Sequence, residues 1–322
     1  MNATPFTVRV ARKQAETDDI CSFELVDPAG GALPAFTAGA HIDVHLPDGA
    51  IRQYSLCNDP SERHRYCIAV LREPASRGGS RAMHEAVAQD GLLRIGAPRN
   101  LFALDESAER HLLLAGGIGI TPLLCMTQRL AAIGADFALH YCARSAARMA
   151  FRAQLEHASY AGRVSLHVDD GPAAQRLDMD ALLRDADPAT HLYVCGPKGF
   201  MDAVLGAARE RGWPEDRLHY EFFAAEPSAA IEADAAFSVK LASTGQVVGV
   251  PVGCSVAQAL HEAGVDVPVA CEQGICGTCL TRVLEGVPDH RDLFLSPEEQ
   301  ARGDQFTPCC SRAKTSVLVL DL

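Results

Sequence analysis

Along the first hundred residues apolar and polar positions alternate. FTVRVARKQ, CSFELVDP, HIDVHLP, RQYSLCN and YCIAVLRE each send successive side chains to opposite faces, the period of a strand, and Pro and Gly separate them. The pattern predicts an antiparallel barrel or sandwich over 1–103, interrupted by one helix near SRAMHEAVAQ and followed by a short strand, GLLRIGAP. From 104 to 226 the texture changes. Short apolar runs are each followed by a helical pattern: HLLLAGG then PLLCMTQRLAAIG, FALHYCARS then MAFRAQLEHASY, HLYVCGP then FMDAVLGAARERG. Such alternation predicts a parallel sheet with helices on both faces. Residues 227–235, within the small, acidic stretch AAEPSAAIEADAA, read as a linker. The last part, 236–322, opens with a hairpin pattern around Thr244 and Gly245, continues with the helix SVAQALHEAGV and ends on the strand SVLVLDL. The expected fold class is multidomain: an antiparallel β-barrel, an α/β parallel-sheet nucleotide domain and an α+β C-terminal domain.

Composition removes several functions. Hydrophobic content of 48% and charged content of 22% over 322 residues suit a globular chain of two or three domains, without an apolar run of membrane-spanning length. The N-terminal MNATPFTVRVARKQAE lacks an apolar signal core, so the expected location is the cytoplasm. A net charge of -12, from 41 acidic and 29 basic side chains, argues against nucleic-acid binding and suits either solubility or a basic protein partner. Twelve cysteines in such a chain point to a metal or redox site rather than to a disulfide framework.

Their spacing narrows that choice. Cys271, Cys276 and Cys279 form C-x4-C-x2-C, and Cys309 follows, the spacing of plant-type 2Fe-2S sites in which four thiolates hold two irons. Gly274 and Gly277 let the loop curl and turn N–H groups toward the sulfurs. Zinc would accept four cysteines equally well, but its usual pattern is two C-x2-C pairs. Cys310 adjoins Cys309 and is the alternative fourth ligand.

A second constellation lies in the middle part. The strand HLLLAG runs into Gly116, Gly117, Gly119 and Thr121 at the start of a helix, where a pyrophosphate could approach the backbone. Cys195-Gly196-Pro197 ends a later strand at the same carboxyl edge of the sheet, and two loops on one edge make a cleft. A nicotinamide gives up a hydride whereas a 2Fe-2S cluster accepts one electron at a time, so joining the two sites requires a flavin. The barrel offers its site. Arg52 could pair with phosphate, Tyr54 could cover the ring, Ser55 could bond its reactive edge, and Gly79 with Ser80, after Arg77 and Gly78, could hold phosphate at a helix N-terminus.

R-x-Y-S, GGS, GGIGITP, CGP and the cysteine loop, in that order along the whole chain, resemble the ferredoxin-NADP reductase superfamily. More closely, they resemble the reductases of the phthalate dioxygenase and vanillate O-demethylase systems. The resemblance implies an FMN barrel, an NADH domain and a C-terminal β-grasp ferredoxin domain that pass electrons to a separate Rieske-type terminal oxygenase, with the chain a monomer. It implies that Arg52, Tyr54, Ser55, Gly78, Gly79, Ser80 and Thr121 bind FMN, with backbone of Val70 and Leu71 touching it and Phe223 near the ring. Gly116, Gly117, Gly119, Cys195, Gly196 and Pro197 would then hold NADH, with Ser55 and Cys195 nearest the hydride. Catalysis would be mostly positioning, without an acid or base. Arg144 and Arg148 leave a 2′-phosphate, and so NADPH, as an alternative, and FAD is the alternative flavin. The competing functions are a flavin reductase and a redox-sensing module without turnover.

Overall fold

The computed structural model describes residues 4–47, 49–74, 78–223 and 234–322. Arg77 and residues 227–233 of the expected linker lie outside them. The chain divides into two compact units, Met1–Glu221 and Phe222–Leu322.

The first unit begins with six strands, β1 (Phe6–Ala15), β2 (Ile20–Val26), β3 (His41–His45), β4 (Ile51–Ser55), β5 (Tyr66–Leu71) and β6 (Leu92–Ile95), with α1 (Gly79–Glu85) between the last two. They pair antiparallel in the order β4-β3-β6-β1-β2-β5. An antiparallel bridge from Leu56 to Ile68 joins the two ends of that order, so the sheet closes as a barrel rather than a sandwich. Alternation explains the interior. Val8, Val10, Phe23, Leu25, Ile42, Val44, Ile68 and Ile95 point inward and are buried, whereas the polar residues between them face out.

The rest of the unit is a parallel sheet of β7 (Arg110–Gly116), β8 (Asp136–Ala143), β9 (Val164–Val168), β10 (Thr190–Cys195) and β11 (Leu218–Glu221). Its helices are α2 (Ile120–Ala132), α3 (Arg152–Glu156), α4 (Met179–Arg184) and α5 (Lys198–Glu210). The order β11-β10-β7-β8-β9 puts β7 at the centre. Leu112, Leu113, Leu114 and Ala115 in β7 are all buried, as a strand covered on both faces requires. The helix expected over MAFRAQLEHASY is cut to one short turn because Phe151 takes a left-handed backbone, φ +60, just before α3.

The second unit contains β12 (Phe237–Leu241), β13 (Val247–Val250), β14 (Thr281–Glu285), β15 (Pro288–Asp289), β16 (Gln305–Phe306), β17 (Arg312–Ala313) and β18 (Val317–Leu320), with α6 (Val256–Glu262) and α7 (Pro297–Arg302). A mixed sheet runs β13-β12-β18-β14-β16, with β12 and β18 parallel and the other pairs antiparallel. Val256, Ala259 and Leu260 of α6 bury against Val239, Val248, Val250, Leu318 and Leu320, the core of the expected α+β domain. Ser255 caps α6, and Ser296 with Glu299 forms a reciprocal capping box on α7.

Candidate functional site

β7 and β10 are neighbours although β8 and β9 intervene in the chain, which makes the gap beyond their carboxyl ends the topological switch point of the sheet. The two loops there touch. A Cβ on Gly119 would overlap the Cys195 carbonyl and stand 2.6 Å from the Gly196 nitrogen, and one on Gly196 would stand 2.9 Å from Gly116 Cα. A Cβ on Gly116 would in turn meet the Phe200 ring at 2.9 Å. These three glycines are required by close backbone approach, whereas Gly117 is required by its left-handed backbone, φ +53. Thr121 is buried in the first turn of α2, its hydroxyl donating to the Ile118 carbonyl at 3.1 Å. Pro197 precedes α5 on the opposite wall.

Three strand ends meet beside this gap. Cys195 pairs with Glu221 across the β10–β11 ladder, and the Ser55 hydroxyl, from the end of β4, donates to the Glu221 carboxylate. Burial raises the Glu221 pKa to about 8, against the lowering effect of Ser55. Its Oε2 is buried without a hydrogen-bond partner among the described residues. Burial, and then the Glu221 charge, push the Cys195 thiol well above its ordinary range. Cys195 is therefore held as a neutral thiol. Glu221 is the group that sequence reasoning missed. In HYEFF it reads as one polar residue near a strand end, and only the pairing of β11 with β10 brings it to Cys195.

The barrel residues gather around α1. The Arg52 side chain lies over Gly79, whose Cβ, if present, would stand 2.7 Å from Arg52 Nε. Gly78 takes φ +102 to start that helix, and Ser80 Oγ accepts from the Glu73 N–H at 3.2 Å. Tyr54 lies opposite Ile42 on β3, and burial raises its phenol pKa. Val70 and Leu71 pair with Cys21 and Ile20, and the Val70 carbonyl lies 2.8 Å from His84 Nε2 of α1. Arg144 is exposed just after β8, whereas Arg148 is paired with Asp19 at 3.5 Å. Phe223 belongs to the second unit and is 38% exposed. Cavities of about 600 and 580 Å³ elsewhere in the first unit hold none of the predicted site residues.

The 271–279 loop has neither helix nor strand and is shaped by what it packs on. Glu272, Gly274 and Gly277 have φ of +56, +70 and +66. A Cβ on Gly274 would overlap Cys310 Sγ, and one on Gly277 would overlap the Phe294 ring. Backbone N–H groups turn toward sulfur, Gln273 to Cys271 at 3.4 Å and Thr278 to Cys276 at 3.5 Å, with Ile275 also on Cys271 and Gly274 on Cys309. The thiols meet in two pairs, Cys271 with Cys276 and Cys279 with Cys309. The side-chain hydrogen bond with Cys271, against the raising effect of burial, holds the Cys276 thiol below its ordinary range while Cys271 is raised, and the Thr278 N–H adds to the lowering. Cys310 turns instead to Thr307 Oγ1 at 3.3 Å and Ser311 Oγ at 3.8 Å, though it also touches Cys309. Two pairs of thiols match the two-iron arrangement of a 2Fe-2S site.

Comparison with known proteins agrees with these features. Residues 239–314 match the family described as 2Fe-2S iron-sulfur cluster binding domain, and residues 97–218 match the N-terminal domain of dimethylamine monooxygenase subunit DmmA-like proteins. The vanillate O-demethylase oxidoreductase of Pseudomonas sp. (strain HR199 / DSM 7063) is 56% identical over 315 residues, 98% of this chain and 99% of its own. The tert-butanol monooxygenase / tert-amyl alcohol desaturase reductase subunit of Aquincola tertiaricarbonis is 48% identical, over 99% of this chain and 96% of its own. Phthalate dioxygenase reductase, solved as a modular structure for electron transfer from pyridine nucleotides to 2Fe-2S, superposes with a TM-score of 0.79 at 39% identity, covering 99% of this chain and 98% of its own. With barrel, nucleotide sheet and ferredoxin sheet all present, this chain belongs to the family of the vanillate O-demethylase and phthalate dioxygenase reductases.

Proposed function

We propose that this chain is the reductase component of an oxygenase system, taking hydride from NADH onto FMN and passing single electrons through its own 2Fe-2S cluster to the oxygenase. The observation that carries this reading is the meeting of barrel-borne Ser55 with Cys195 and Glu221 at the switch point of the nucleotide sheet. Donor and acceptor cofactors both need that place. A bound flavin would supply the conversion of one hydride into two single electrons.

The chain's own residues divide the remaining work. Arg52 and the Gly78-Gly79-Ser80 turn would hold the flavin phosphate, Tyr54 would cover the ring, and Thr121 with the backbone of Val70 and Leu71 would border it. We assign Phe223 to the ring side as well. Gly116, Gly117, Gly119, Gly196 and Pro197 would bind the NADH backbone, and Cys195 would limit how closely the nicotinamide approaches. Arg144 would face its ribose. Arg148 has Asp19 within 3.5 Å, which supports NADH over a 2′-phosphorylated cofactor. Ser55 hydrogen-bonded to Glu221 would give a path for a proton only with the carboxylate ionised, Ser55 Oγ taking the proton as its own hydrogen passes to Glu221. Cys271, Cys276, Cys279 and Cys309 would be the cluster ligands, Cys309 being preferred to Cys310 because it is Cys309 that meets Cys279.

We further read the partner as a Rieske-type oxygenase, the chain as monomeric, and the domains as 1–103, 104–226 and 236–322. The test is a pair of assays on protein loaded with both cofactors. NADH oxidation with ferricyanide should be fast without any organic substrate, and failure there sinks the reading. In C276S, reduction of cytochrome c should fall at least about 100-fold with ferricyanide reduction retained. Equal activity in both assays would instead favour release of free reduced flavin.

A further inference from the structure

The segment from 289 to 295 forms a floor under the cysteine loop, and its centre is a carboxylate that no cofactor contact requires. The Asp292 side chain is 0% exposed. It accepts the Leu295 N–H at 2.8 Å and the Ser311 hydroxyl at 3.3 Å, and faces His290 Nδ1 at 3.4 Å. It adjoins the loop directly. A Cβ on Gly274 would stand 2.9 Å from both Asp292 Cα and Cβ, and the Leu293 N–H donates to the Gly274 carbonyl at 3.0 Å. Gly274 in turn gives its N–H to Cys309. One residue of backbone therefore separates the buried carboxylate from a sulfur of the cluster site.

Two guanidinium groups of this unit have carboxylate partners of their own. Arg291 bonds Asp234 at 2.5 Å and Asp289 at 2.9 Å, and Arg312 bonds Asp234 at 3.5 Å and the Cys254 carbonyl at 2.7 Å. The Asp292 carboxyl is met by the Leu295 N–H, the Ser311 hydroxyl and His290 Nδ1, and the last would offset its charge only as a protonated imidazole. A hydrogen-bonded line continues from Ser311 to Thr307 Oγ1 at 3.1 Å and from there to the Cys310 thiol at 3.3 Å, so the carboxylate also orders the polar groups behind Cys309.

Resting on the cluster reading above, we propose that Asp292 is a potential-setting residue: its buried negative charge disfavours the added electron and lowers the reduction potential of the cluster, making it a stronger donor to the acceptor protein. The physical basis is that cluster potentials follow local net charge and hydrogen bonding, and a charge in a low-dielectric interior is weakly screened. The function that requires it is delivery, since a cluster held at lower potential passes its electron on more readily.

The test compares midpoint potentials of wild-type protein, D292N, D292S and D292E, by visible and electron-spin titration of the holoprotein. D292N and D292S should shift the cluster midpoint upward, with the spectrum of the reduced cluster unchanged in shape, whereas D292E should stay near wild type. A merely structural role would lower the melting temperature and cluster content in all three without an ordered shift in potential. An unchanged or lowered midpoint in a neutral variant that holds its cluster overturns the proposal. So does loss of the cluster from both neutral variants, which would make Asp292 a residue that builds the site rather than tunes it. If wild-type protein showed no 2Fe-2S spectrum at all, the cluster reading itself would fail, a result distinct from an unshifted midpoint.

Discussion

At the scale of single residues, Glu221 carries a pH dependence of known sign. The folded chain holds its carboxyl protonated up to about 8, whereas an unfolded chain gives up that proton near the ordinary 4.5. The folded state therefore binds more protons between these values, and stability falls as pH rises through that window, by about 1.4 kcal/mol per unit from this group alone. Below about 4.5 the penalty is absent, and above about 8 it is complete. E221Q is accordingly expected to melt at or below the wild-type temperature at pH 5 and above it at pH 9. Parallel melting curves at both values would mean that the carboxyl is not held neutral. Its place in the site was illegible in the sequence, because HYEFF carries no mark of burial. Cys195 and Ser55, by contrast, were legible as candidates from CGP and R-x-Y-S, although their shared neighbour was not.

At the scale of elements, the repeated strand-then-helix pattern from 104 to 226 was readable because a strand covered on both faces must be apolar throughout, as β7 is. The length of α3 was not, since the left-handed turn at Phe151 is imposed by packing rather than by a glycine or proline. β9 and β14 also escaped notice, VSLHV and TRVLE being only five residues each. The contact between the loops after β7 and β10 yields a further prediction. In G119A the new methyl meets the Cys195 carbonyl, so the loops must part, and the KM for NADH should rise at least about 10-fold with the flavin and cluster spectra intact. An unchanged KM would show that the nucleotide does not use this approach. The cysteine loop belongs to the same scale. Its C-x4-C-x2-C spacing announced the site and already favoured Cys309 over Cys310 as the proposed fourth ligand, and the fold turns Cys309 to Cys279 and Cys310 to Thr307.

At the scale of the whole molecule, net charge governs encounter with a protein acceptor. At -12, the chain should reduce cytochrome c, a basic protein, several-fold more slowly as ionic strength rises from about 0.01 to about 0.5 M, because screening weakens the attraction. Ferricyanide, an anion, should show no such loss. A cytochrome c rate that climbs with salt would mean that the surface delivering electrons does not share the overall charge. Family, cofactor chemistry and the three-part order of folds could all be read from the linear chain, because glycine turns, cysteine spacing and hydrophobic period are local properties. Pairings between distant segments could not be read there. The Leu56–Ile68 bridge that closes the barrel, the β7–β10 adjacency that makes the nucleotide crevice, the burial that neutralises Glu221 and the approach of Asp292 to Gly274 each join residues whose local sequences carry no record of the partner. Burial and charge environment are set by those long-range contacts, and they exist only once the chain has folded.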